Sequence, residues 1–147
     1  MTRIPDTPEL QAHAHALAKG FQKRLIESSQ LRPEEAFALP HLQLAVISTI
    51  VDVTTYAIAL HELGHLAAPT GSIRGAVEGD RASLQRVEED AAWTWARHYA
   101  LIWTDVMDRL AQWAEGTYQQ QITTRAPQPA PTAPVAPNQH IDWKNWK

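Results

Sequence analysis

The chain has 147 residues, 44% of them hydrophobic, which is enough for one globular domain with its own core. Its 13 Lys and Arg stand against 16 Asp and Glu, a net charge of -3 without a long basic run, which argues against a nucleic-acid partner. There is no cysteine, so disulfide frameworks and thiolate-held zinc are excluded, and any metal must be bound by histidine and carboxylate.

The N-terminal MTRIPDTPELQAHAHALAKG has neither the basic start nor the apolar run of a secretory signal, so a cytoplasmic chain is expected. From Thr7 as cap and Pro8 in the first turn, Leu10, Ala14, Leu17, Phe21 and Leu25 recur at helical spacing and predict an amphipathic helix. His13 and His15, two apart, point to different faces and are expected on the solvated surface. LRPEEAFALP reads as a short helical turn between two prolines. The apolar run from Leu42 to Leu60 approaches the length of a membrane span, but Asp52 at its centre would cost about 2.5 to 3.5 kcal/mol there, which favours a buried element.

Residues 42–51 are ambiguous, since VISTIV suits a strand while the unbroken apolarity suits a buried helix, and helix is the favoured reading. Asp52 is the natural cap for a helix starting at Val53 and ending near APTG, where Pro69 and Gly71 stop it. GSIRGAVEGD reads as a loop. Residues 80–115 contain no Gly or Pro and are predicted as one long helix or two with a bend. APQPAPTAPVAP holds five prolines in twelve residues and is expected to be an extended spacer. The expected fold is therefore mainly α with little or no β-sheet: a helical domain over residues 1–125, then a linker and Trp-containing peptide over 126–147.

The stretch that carries chemistry is HELGH, residues 61 to 65. On a helix, His61 and His65 lie on one face a turn apart, so each can offer a ring nitrogen to the same ion. Glu62 is rotated from His61 by about 100° and stands beside such an ion as a general base for its water. Two histidines with one carboxylate are a recurrent ligand set of catalytic zinc, which makes Zn2+ the expected cofactor. Gly64 in mid-helix costs about 1 kcal/mol relative to alanine, which implies that another segment packs closely against it. The third ligand is expected among Glu78, Asp80, Glu88, Glu89, Asp90 and His98. Glu89 is favoured over Glu88 because Ala92 and Ala96 share its helix face and would let the two helices approach.

HELGH, followed by Glu89, Ala92, Trp95 and Ala96 in the pattern E-x-x-A-x-x-(aromatic)-A, resembles the ImmA/IrrE-type zinc metallopeptidases of the gluzincin group of zincins. The resemblance covers residues 53 to 100. It implies His61, His65 and Glu89 as zinc ligands, Glu62 as catalytic base, and a specific intracellular protein, such as a repressor-like regulator, as substrate. Members of that family usually carry a small sheet and continue the second motif into an apolar segment closed by proline, whereas here the chain reads RHYALIWTDVM.

Trp93, Trp95, Trp103 and Trp113 are expected to pack between helices, with Trp93 the one nearest a substrate pocket. Tyr56 and Tyr99 are candidate donors to a developing oxyanion. After the spacer, Trp143 and Trp146 suit a peptide that docks a partner or the chain's own cleft. The rival reading is a non-catalytic interaction protein whose metal braces two helices, with His140 or Asp142 able to close the site as a fourth ligand.

Overall fold

The structure is a computed structural model and describes residues 4–68 and 81–124. Helix α1 (Thr7–Gly20) starts one residue earlier than expected from Thr7: Asp6 is the cap, its carboxylate accepting from the Glu9 amide at 3.0 Å. Leu10, Ala14 and Ala18 form the buried stripe of α1. The helix stops before Leu25, because Gln22 takes a left-handed φ of 60° that turns the chain back. RLIES then forms strand β1 (Arg24–Ser28), so Leu25 packs from a strand and not from α1.

The segment between the two prolines is more than a turn. A single 3-10 turn at Pro33–Glu35 leads into strand β2 (Phe37–Leu39), and a second turn, Pro40–Leu42, ends at Gln43 with φ 52°. Residues 44 to 48 form strand β3 (Leu44–Ser48), which corrects the helical reading of residues 42–51. The strand order is β1-β3-β2, with β1 parallel and β2 antiparallel to β3. The expectation of little or no sheet is corrected by this three-stranded sheet. The physical reason is that β3 is central and buried on both faces, which produces an unbroken apolar run, while Val46 and Ile47 favour the strand.

Helix α2 (Val53–Ala67) starts where Asp52 predicts. The Asp52 carboxylate accepts from the Thr55 amide at 2.8 Å, and Thr55 Oγ1 accepts in return from the Asp52 amide at 3.1 Å. Every residue from Thr55 to Gly64 is buried, because α2 packs against α1, β2 and β3 and against both helices that follow. Those are α3 (Arg81–Tyr99) and α4 (Asp105–Thr124), so the long helical stretch is two helices. Thr104 starts the second: its Oγ1 accepts from the Met107 amide at 3.2 Å and its carbonyl from the Asp108 amide at 3.0 Å. No helix among the described residues is long and apolar enough to cross a membrane. The loop expected at residues 71–80 and the spacer and terminal peptide expected at 126–147 lie outside the described residues.

Candidate metal centre

The close approach of α2 and α3 builds the site. A Cβ placed on Gly64 would lie 2.5 Å from the Ala92 carbonyl oxygen and 2.9 Å from its Cα, so only glycine permits this separation. Ala92 and Ala96 are fully buried at the contact. Glu89, three residues before Ala92, is thereby carried over the histidine face of α2.

There His61 Nε2 lies 2.9 Å from Glu89 Oε2, His65 Nε2 lies 3.1 Å from Glu89 Oε1, and the two Nε2 atoms are 3.1 Å apart. One donor atom from each of the three residues falls within 4.8 Å of the others, the convergence that a single ion requires. The donor chemistry, two imidazoles and a carboxylate, fits zinc. Trp93, fully buried, stacks on His61 with ring centroids 4.2 Å apart and planes at 28°, which fixes the imidazole plane. Helical position marked Trp93 as close to the site, but as a pocket wall; its contact with the His61 ring had no signal in the sequence.

Glu62 is 3% exposed and lies beside this group. Burial pushes its carboxyl up to about 8; His65 opposes the shift and Glu89 reinforces it. For His65, burial alone would lower the pKa, but Glu89, by charge and by hydrogen bond, together with Glu62 and Glu88, raises it to about 9.

A prediction for the metal-free chain follows from these two groups. Both bind protons more tightly folded than unfolded, so their contribution to stability is present at low pH and is lost as pH rises: from about 4.5 to about 8 for Glu62 and from about 6.5 to about 9 for His65. Chemical denaturation in excess chelator should show stability falling between pH 5 and 9 by a few kcal/mol, and Glu62→Gln should flatten that fall. A wild-type profile that rises or stays level over this range would contradict the assignment.

The remaining expected ligands are placed elsewhere. Glu88 and Asp90 are half-buried and His98 is exposed; none belongs to the converging group, although Glu88 acts electrostatically on His65. Glu78, Asp80, His140 and Asp142 lie outside the described residues. Tyr56 is committed away from the centre: its hydroxyl accepts from the Leu101 amide at 2.8 Å and donates to His13 Nδ1 at 2.7 Å. Burial lowers the pKa of His13, keeping the ring neutral and able to accept, so His13 is a half-buried bracing residue instead of a solvated one. Tyr99 packs on Phe21 and Trp95, whereas His15 is exposed as expected.

Comparison with known protein families, characterised proteins and solved structures gives no match for this chain.

Proposed function

We propose that the chain is a zinc-dependent peptidase of the zincin type, acting in the cytoplasm on a specific protein substrate. The observation that carries this reading is the convergence of His61, His65 and Glu89 within 4.8 Å in a buried setting, with the Glu62 carboxyl alongside. The small sheet packed against α2 also agrees with the resemblance to ImmA/IrrE-type metallopeptidases. Zinc held there supplies Lewis acidity and lowers the pKa of water to about 7. The chain's own residues do the rest. Glu89 would hold the ion together with His61 and His65, whose Nε2 atoms lie 2.9 and 3.1 Å from its carboxylate oxygens in the ion-free chain. Trp93 holds the His61 ring plane. Glu62 accepts the water's proton and returns it to the leaving amine. The substrate class, a repressor-like regulator, rests on the resemblance.

The test is metal content by elemental analysis of chains desalted without chelator, paired with a search for new N-termini in a cytoplasmic protein extract. Wild type should carry about one zinc per chain, with His65→Ala and Glu89→Ala losing it, since a three-ligand site that loses a ligand binds weakly. New termini should appear with wild type alone. A folded wild type that takes up no zinc would sink the metal centre, and a zinc-loaded wild type that produces no new termini would leave the rival, a metal-braced interaction protein.

A further inference from the structure

The opposite face of α3 from Glu89 is concave. Val87, Ala91, Thr94, Trp95 and His98, with Ala68 at the end of α2, line a largely apolar groove of about 530 Å3, with Asp90 on one wall. On the helix the α3 positions lie roughly half a turn from Glu89, so the groove is separate from the metal centre. Its volume is within the range of pockets that enclose a ligand of drug-like size. We infer that this groove is the docking site of the chain's own terminal peptide, NQHIDWKNWK, through Trp143 and Trp146.

Helices α3 and α4 run antiparallel: Arg97 Nη2 meets Asp108 Oδ1 at 3.3 Å, and the charge of Asp90 acts on Glu115. Continuing that register puts Thr124, the last residue of α4, beside Arg81, the first residue of α3. From there to the level of His98 is about 26 Å along the helix. The spacer of residues 126–137, with five prolines, spans up to roughly 37 Å at 3.1 Å per residue. A spacer of that length is long enough to bring residues 138–147 to the groove.

Chemistry matches as well as reach. Trp143 and Trp146, three apart in sequence, would share one face of a helical turn and bring apolar surface that matches the lining of the groove. Each is followed by a lysine, Lys144 and Lys147. The acceptor for them is Asp90, half-buried, with its pKa raised by burial and Arg86 as a neighbour at 3.8 Å. The docked peptide would leave the metal centre open and mask the outer face of α3.

The absence of cysteine makes the test clean. Full-length chains carrying Thr94→Cys with Asn145→Cys are compared with Gln112→Cys with Asn145→Cys under mild oxidation. Thr94 and Gln112 are both exposed, and both lie about 18 to 20 Å along their helices from the level of Thr124, so the tether alone favours neither. The intramolecular disulfide to position 94 should form at least about tenfold faster than the control, and Trp143→Ala/Trp146→Ala should remove that advantage. Equal rates, an advantage that survives loss of both tryptophans, or links between chains only would overturn the proposal, the last by assigning the groove to a second copy. None of these outcomes depends on zinc or on hydrolysis.

Discussion

Glu62→Gln should retain about one zinc per chain and lower the turnover of any cleaved sequence by about 100- to 10,000-fold, the span typical of removing a general base. Glutamine keeps the volume of a side chain that is 3% exposed, so packing is preserved while proton acceptance is lost. The carboxyl of Glu62 stands at about 8 in the chain without a cation, because burial outweighs the attraction of His65 and Glu89 adds repulsion. At neutral pH it is then largely protonated and a poor base. A divalent charge bound by His61, His65 and Glu89 shifts that balance towards the carboxylate, since a bound cation is the largest local charge in such a site. Base strength and metal occupancy are therefore coupled. Wild-type rate should fall as pH drops through the pKa of the loaded site, and the residual rate of Glu62→Gln should lack that limb. A zinc-loaded Glu62→Gln variant with wild-type turnover would remove Glu62 from the reaction.

What the sequence showed and what it hid divide along physical lines. Asp52 was legible as a cap because capping is local: an acceptor side chain three residues before an amide needs nothing from the rest of the fold. The juxtaposition of Glu89 with the histidines was legible because Gly64 on one helix and Ala92 and Ala96 on the other mark a close contact by their size. Strand β3 was hidden because its partners, Arg24–Ser28 and Phe37–Leu39, carry no strong alternation, and a central strand looks like any buried apolar run. β1 was hidden because Leu25 falls in helical phase with Phe21, and only the left-handed Gln22 breaks that phase. The division between α3 and α4, one of the two readings of that stretch, has a local signal: Thr104 followed by Asp105 and Asp108 is a cap with an acidic first turn. The bond from Tyr56 to His13 spans 43 positions in the chain, and no local pattern announces it.

The second large effect is expected at Gly64. By helix propensity alone, Gly64→Ala would stabilise α2 by about 1 kcal/mol. The structure reverses that sign. The new methyl would stand 2.5 Å from the Ala92 carbonyl oxygen, 2.9 Å from its Cα and 3.0 Å from its carbonyl carbon. All three are backbone atoms, so no rotamer change relieves the clash and α3 must move as a rigid element, at a cost of about 1 to 3 kcal/mol or more for overpacking. Because Glu89 rides on that helix one turn away, the displacement also pulls its carboxylate from His61 and His65, now at 2.9 and 3.1 Å. Denaturant unfolding should therefore show Gly64→Ala less stable than wild type, and competition with a chelator should show zinc affinity reduced by about 10- to 100-fold, as when groups that orient metal ligands are disturbed. Ala92→Gly should not rescue it, because the obstructing atoms belong to the main chain and remain after the side chain is gone. A Gly64→Ala variant as stable as wild type with full zinc affinity would mean that α2 and α3 do not approach this closely, and the carboxylate would then lose its route to the histidines.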